Sequence, residues 1–424
     1  MLTSTEQTVL DRIDLLSGDM VTFLQTLIRI PSVNPPGEAY DPCARVIGDL
    51  LQELGFDIEY IIAEDHPDHS DACPRVNVIG RLAGDRPMPA VHLNGHTDVV
   101  PPGEGWTHDP FGGEVRDGRV YGRGACDMKG GIASALFAVA ALREAGVSLG
   151  GTLEFSGTVD EESGGFAGMA YLADKRLIAP DRTSYVIIPE PLNVDRICLG
   201  HRGVYWFQIE TLGRIAHGSM PFFGTNAVDM MEVILNSIRT ELRPELAKRL
   251  TSMPVVPPEA RQATLNINGI FGGQTQTGVG SPCVADRCTA VFDRRFLKEE
   301  QITDVRNEVV DILDRLRISY PDFKAELTDL MVVESVETDR EADLVKTTTT
   351  AVEDVLHTTP SYIASPGTYD HKHVASIGQV SQCIAYGPGM LHLAHQPDEY
   401  CEIEHMVQSS KVIALSVMRL LESG

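Results

Sequence analysis

No stretch of this 424-residue chain holds the ~18 consecutive apolar residues of a membrane-spanning helix, so no bilayer anchor of that kind is expected. Positive charge is scarce, with 35 Lys and Arg against 60 Asp and Glu and a formal balance of −25. Nucleic acids and anionic membranes attract basic patches, so neither is expected as a partner. The eight cysteines, at 43, 73, 126, 198, 283, 288, 383 and 401, include no Cys-x-x-Cys pair. That argues against a zinc finger or a disulfide framework and for reduced thiols in a cytoplasmic protein. Residues 1–20 carry three Asp and one Glu against one Arg. Without the basic and apolar regions of a signal peptide, they read as a surface helix. Solenoid-period repeats and low-complexity tracts are also lacking.

What is present is enough apolar material, 43% of residues, to bury sizeable cores. The length points to two or more domains. Helical spacing covers 5–30 and 40–54, interrupted by the proline-rich 30–36. The segment 64–74 reads as a solvated loop, despite its two histidines. Strands are expected at 76–82, 89–93, 152–158 and 185–188, around a helix at 131–145 that is apolar nearly all round and hence buried. That alternation implies a largely parallel sheet covered by helices.

After residue 200 the order becomes strand (204–212), helix from Asn226, two strands (263–270, 288–296), helix through Val305, Val309, Ile312 and Leu316, and strand (324–333). This β-α-β-β-α-β order predicts a ferredoxin-like α+β domain inserted into the α/β domain. The expected domains are therefore 1–200 and 336–424 for the first and 201–335 for the insert. A helix at 342–356, a strand at 382–386 and a C-terminal helix complete the first. In that last helix Ile403, Met406, Val407, Ser410, Ala414, Val417 and Leu421 share one face.

Metal-type residues recur where these strands end. His96 and Asp98 follow the 89–93 strand, and Asp127 lies in a glycine-rich loop before the buried helix. Glu161 and Glu162 follow the 152–158 strand, Glu190 follows 185–188, and His395 follows 382–386. Open α/β sheets bind ligands beyond the carboxyl ends of their strands, so these side chains can converge. Imidazoles with carboxylates suit zinc, manganese or cobalt. A carboxylate shared by two ions holds them about 3.5–4 Å apart, and an unligated one beside them can act as general base.

The ordered set His96-Thr-Asp98, Gly122-Arg-Gly-Ala-Cys-Asp-Met-Lys-Gly, Glu161-Glu-Ser-Gly, Pro189-Glu190 and His395 before Pro397-Asp-Glu399 resembles one metallopeptidase family. That family includes succinyl-diaminopimelate desuccinylase, acetylornithine deacetylase, aminoacylase and glutamate carboxypeptidase. The resemblance implies two divalent metal ions, zinc first with manganese or cobalt as alternatives. His96, Asp127 and Glu190 would hold one ion. Asp127, Glu162 and His395 would hold the other, with Asp127 bridging. It further implies Glu161 as general base, Asp98 as the group orienting His96, and His217 of a lid and dimerisation domain as the stabiliser of the oxyanion. A homodimer follows from the same likeness. Arg202 and Arg295 resemble positions that grip a substrate carboxylate, and Asn266 and Gly367 lie in matching substrate-contact segments.

Several residues have plainer readings. His92 reads as a packed core histidine, His392 as a neighbour of His395, Cys126 as a small buried residue, and Arg123 and Lys129 as partners of carboxylates. One run departs from the family pattern: Gly367-Thr-Tyr-Asp-His-Lys-His373 stands where desuccinylases have Gly-Thr-Ser-Asp. Tyr369 and Lys372 add a phenol and an ammonium as candidate substrate contacts, with Lys372 facing solvent as the alternative. The expected activity is hydrolysis of the amide of an N-acyl amino acid or similar small anionic amide. Di- or carboxypeptidase action, cleavage of an arylamine C–N bond, or a non-catalytic metal-binding role are the alternatives.

Overall fold

The computed structural model describes residues 2–273 and 282–422. The chain forms two compact units, one of Met1–Gly200, Glu337–Ile363 and Tyr369–Gly424, the other of His201–Val336 and Ala364–Thr368.

In the first unit, strands Thr152–Thr158, Ala90–His96, Tyr185–Ile188 and Cys383–Ala385 lie side by side and parallel. Val76–Leu82 and Asp57–Ile62 extend one side antiparallel, and Arg196–His201 continues antiparallel on the other. The sheet thus has a parallel centre, where both faces are covered, and antiparallel flanks. Every residue of Ala90–His96 and Thr152–Thr158 is buried. Their polar side chains satisfy one another: His92 Nε2 lies 2.7 Å from Ser156 Oγ, and Ser156 Oγ donates to Asn94 Oδ1 at 2.7 Å. The other nitrogen of His92 faces Glu154, which Arg81 and Arg182 also engage, so His92 is a partnered core histidine.

Helix Gly130–Glu144 runs through the core between Ile403–Leu420 and Ser4–Leu15. The 20 residues Ala125–Glu144 are long and apolar enough to cross a membrane on composition, yet all but the partly buried Asp127 and the exposed Arg143 and Glu144 are buried within this unit. The helix starts close to the Pro189–Glu190 turn: a Cβ added at Gly131 would fall 2.0 Å from the Pro189 carbonyl oxygen. The C-terminal helix buries more than the expected face, because Val412, Ile413, Leu415 and Met418 are also covered by the helices around it. The expected 5–30 helix divides into Ser4–Leu15 and Ser17–Ile28, with the Leu16 amide donating back to the Arg12 carbonyl and closing the first. Ser17 and Gly18, poor helix formers, stand at the restart.

A second, three-stranded sheet of Glu114–Arg116, Arg119–Tyr121 and Tyr400–Glu402 escaped the sequence reading. It brings Glu399 beside the loop that holds Asp127.

In the inserted unit the antiparallel order is Thr264–Gly272, Arg287–Phe296, Gly203–Leu212, Ala325–Val333. Helices Ala227–Ser237 and Ile302–Ser319 pack on it, the first capped by the side chain of Asn226. Tyr205, Phe207 and Phe292 stack in its core, with ring centroids 4.8 Å apart in each neighbouring pair. This is the ferredoxin-like arrangement. The unit is not one continuous insertion. Val336 and Ala364–Thr368 belong to it as well, because Ala364 exchanges backbone hydrogen bonds with Pro254 and Val256. Gly367 is therefore a residue of this unit.

Candidate metal centre

His96 is the last residue of its strand and pairs in register with Thr158, the last residue of the neighbouring one. The turn after Thr158 carries Glu161 and Glu162, and Glu190 stands two residues past Ile188 on the next strand. The carboxyl ends of three parallel strands thus present their side chains together, and the loops holding Asp127 and His395 close over them. Donor atoms of His96, Asp127 and Glu162 all lie within 4.8 Å of one another. Asp127 sits in the middle: its Oδ1 is 3.1 Å from His96 Nε2, and its Oδ2 is 3.6 Å from His395 Nε2. His395 Nε2 lies 3.0 Å from Glu162 Oε2.

The electrostatics describe a site short of positive charge. Burial, and then the negative charge of Asp127, raises the Glu190 carboxyl well above its usual range. Burial likewise raises Glu162, to about 7, with Asp127 adding to the rise and His395 opposing it. His395 is drawn up to about 9 by its hydrogen bond to Glu162. Three largely buried carboxylates crowded with two imidazoles, of which His96 is buried and His395 exposed, form a donor set of N and O atoms that divalent cations would neutralise. The residues present therefore fit a metal centre.

Asp98 is fully buried and works through its neighbours. His96 Nδ1 lies 3.0 Å from the Asp98 carbonyl oxygen and 3.4 Å from its carboxylate. That carboxylate also accepts the backbone N–H groups of Glu161 (3.2 Å) and Glu162 (3.1 Å) and the amide of Asn34 (3.0 Å). Burial alone would raise its pKa, but the contacts with His96 and these donors hold it below the ordinary range. Asp98→Asn turns an NH2 group toward backbone N–H donors, so the turn must shift. Turnover should fall about 10–100-fold while metal content changes less, as checked by kcat alongside metal stoichiometry. Metal loss with unchanged turnover per bound metal would instead make Asp98 a ligand.

Other supports were not read from the sequence. Tyr40 donates to Asp160 Oδ1 at 2.6 Å and Arg75 Nε donates to its Oδ2 at 2.8 Å, all three buried. They fix the residue just before Glu161, whose φ of 62° is left-handed. Glu399 Oε1 accepts the backbone N–H groups of Cys126 (2.9 Å) and Asp127 (3.0 Å), while its Oε2 pairs with buried Arg123. The only sequence signal for Glu399 was its place in the Pro-Asp-Glu run after His395. Arg123 thus partners a carboxylate as expected. Lys129 does not: its ammonium donates to the Leu27 and Ile30 carbonyls, both at 2.9 Å. Cys126 is buried, and burial pushes its thiol well up, away from the thiolate.

The 367–373 run contains two surprises. Lys372 does not face solvent. It is 4% exposed, with its Nζ 3.1 Å from Glu161 Oε1. Tyr369 is buried as well, its hydroxyl 3.6 Å from Cys198 Sγ and 3.4 Å from His371 Nδ1. Asp370, unremarked in the sequence, takes Asn94 Nδ2 at 2.9 Å and Thr158 Oγ1 at 3.3 Å, and burial followed by the charge of Glu161 raises it to about 6.

In the inserted unit Arg202 is buried and donates to the Gln262 and Pro366 carbonyls at 2.8 and 3.2 Å. Burial, then the charge of Arg295, lowers its pKa to about 10. Arg295 is partly exposed and pairs with Asp293 at 2.8 Å, whereas Arg294 is buried against Glu300 at 2.6 Å. His217 is exposed, its Nδ1 2.7 Å from Ser219 Oγ. Asn266 is exposed and bonds Asn268 at 2.9 Å, and the Gly367 amide donates to Ser365 Oγ at 3.2 Å.

A parallel-centred sheet with an acidic, imidazole-bearing centre at its strand ends, and a ferredoxin-like insert, defines a metallopeptidase-type architecture. Residues 92–419 match the model of peptidase family M20/M25/M40. The chain belongs to that family. Among curated relatives, the succinyl-diaminopimelate desuccinylase of Methylobacterium radiotolerans is 39% identical over 212 residues, 48% of this chain and 51% of that protein. The match thus spans about half of that relative's length. The N-formyl-4-amino-5-aminomethyl-2-methylpyrimidine deformylase of Bacillus subtilis is 28% identical over 418 residues, 93% of each chain. Among solved structures, human carnosine dipeptidase 1 superposes with a TM-score of 0.77 at 19% identity, covering 99% of both chains.

Proposed function

We propose that the protein is a two-metal hydrolase that cleaves the amide bond of an N-acyl amino acid or a similar small anionic amide. The observation that carries this reading is the placement of Asp127, with one carboxylate oxygen toward His96 and the other toward His395, beside a Glu161 that pairs with neither imidazole. His96, Asp127 and Glu190 would hold one ion and Asp127, Glu162 and His395 the other, with zinc first and manganese or cobalt as alternatives. When bound, such ions polarise the scissile carbonyl and lower the pKa of water toward about 7.

The chain's own residues supply the rest. Glu161 takes a proton from the attacking water and returns it to the leaving amine nitrogen. Asp98 keeps His96 in orientation and fixes the backbone of Glu161. His217 would donate to the oxyanion. Arg202 and Arg295 would bind a substrate carboxylate. Arg202 favours an anion, because it is buried near a second cation and the hydrogen bonds found for it go to neutral carbonyls. Asn266 and Gly367 are proposed as further contacts. Exposed Phe222, Phe223, Ile270, Phe271, Leu330 and Val332 on the inserted unit support a homodimer formed through it, which sedimentation would check. A cytoplasmic location is part of the same reading.

The test is a turnover screen of N-succinyl, N-acetyl and N-formyl amides, dipeptides and acylated aminobenzoates with zinc, manganese or cobalt. Acyl amino acids should be hydrolysed fastest. Turnover confined to dipeptides or aryl amides would move the assignment to a peptidase or an arylamine C–N hydrolase. Stoichiometric metal with no turnover of any compound would leave a metal-binding protein.

A further inference from the structure

The cation of the departing Gly367–His373 run is already committed to a partner. Lys372 Nζ lies 3.1 Å from Glu161 Oε1, with side-chain exposures of 4% and 11%. Two more contacts join the short helix His371–Ser376 and Asp370, the residue that precedes it, to the turn that carries Glu161. His373 Nε2 lies 2.7 Å from the Gly164 carbonyl oxygen. Asp370 packs against Gly165 so closely that a Cβ there would fall 2.7 Å from Asp370 Oδ1, and the φ of +77° at Gly165 disfavours one in any case. Asp370 itself is anchored to the sheet by Asn94 and Thr158. The helix therefore grips the Glu161–Gly165 turn at a side chain, at a carbonyl and at a glycine.

We infer that Lys372 is a positioning residue. Its ammonium holds the Glu161 carboxylate in place among the neighbouring carboxylates of Asp127, Glu162, Glu190 and Asp370, and does not serve as a substrate anchor. Without that cation Glu161 would swing away from like charges, and a displacement of about 1 Å at a reacting group can cost about 10²-fold in rate. A buried ammonium is tolerated because it is paired, and a lone one would be strongly disfavoured. The inference rests on the proposed role of Glu161 as general base.

Two measurements on the full-length protein test it. With the best substrate of the screen, Lys372→Met should lower kcat by about 10²-fold with little change in KM, and Lys372→Arg should restore part of the loss. A raised KM with kcat intact would make Lys372 a substrate contact and overturn the inference. The second is a thermal double-mutant cycle of Lys372→Met and Glu161→Gln in chelator-treated protein, which needs no activity. Their Tm shifts should be non-additive, because each single change strands the other charge. Additive shifts would overturn the pairing. If no substrate is turned over but the cycle is non-additive, the functional reading fails while the clamp stands. Should Lys372→Met not fold, Lys372→Gln paired with Glu161→Gln gives the same reading, because it too removes the cation.

Discussion

Glu161→Gln should lower kcat by about 10²–10⁴-fold, the range that a positioned proton-transfer group contributes, while metal stoichiometry stays at the wild-type value. The side chain is 11% exposed, and its Oε1 faces Lys372 while His96 and His395 face Asp127 and Glu162. Removing its charge therefore deprives the reaction of a base without removing a ligand. Gln is preferred to Ala because it keeps the volume beside Lys372 and can still accept a hydrogen bond from the ammonium. KM should change little, since Glu161 acts on the proton in flight and not on the bound substrate. Steady-state kinetics with elemental analysis on the same preparation checks this. Wild-type turnover in the variant would sink the mechanism, and loss of metal would make Glu161 a ligand.

Asp127→Asn should remove activity altogether and most of the bound metal, because a neutral amide cannot supply a charged oxygen to each of two ions. The same substitution should also change how the metal-free protein's stability depends on pH. Glu162 and Glu190 are raised above their ordinary range by burial first and by the Asp127 charge second. For carboxyls whose folded pKa is raised, stability is fully present below the unfolded value near 4.5 and is lost as pH climbs through the folded one, about 7 for Glu162. Chelated wild type should therefore lose Tm between about pH 4.5 and 7, and chelated Asp127→Asn should show a shallower fall over the same window. Thermal melts across that range, with and without added zinc, decide it. A steeper slope in the variant would mean that Asp127 relieves charge in the centre instead of adding to it.

The sequence disclosed most where chemistry and local pattern coincide. The strands at 76–82, 152–158 and 185–188 are found at those bounds, and the Asn226 cap stands where the helix was expected to begin. The metal-type residues were visible because each lies in its own short motif at a strand end. What escaped is of two kinds. Three-residue strands such as Glu114–Arg116 and Tyr400–Glu402 are too short to display a period of two. Asp57–Ile62 is a partly exposed edge strand, without the full burial that makes the central ones conspicuous. The supports of the centre were invisible for another reason: each joins residues far apart in the chain. Arg75 and Asp160 are 85 positions apart, and Lys372 and Glu161 are 211 apart. Nothing local in Arg75 or Lys372 tells which carboxylate it will meet. Tyr369 shows the same gap: its sequence position suggested a candidate substrate contact and gave no sign that the side chain is buried beside Cys198 and His371.

The hold of Glu399 on the Asp127 loop bears on how the protein is made. The carboxylate that fastens the backbone of Asp127 lies 272 residues further along the chain, and His395 is nearly as distant. A nascent chain leaving the ribosome exposes His96, Asp127, Glu162 and Glu190 early, yet the clasp that would shape them has not been synthesised. The two hydrogen bonds that fasten the Cys126 and Asp127 backbone can therefore form only after Glu399, near the end of the chain, has been made.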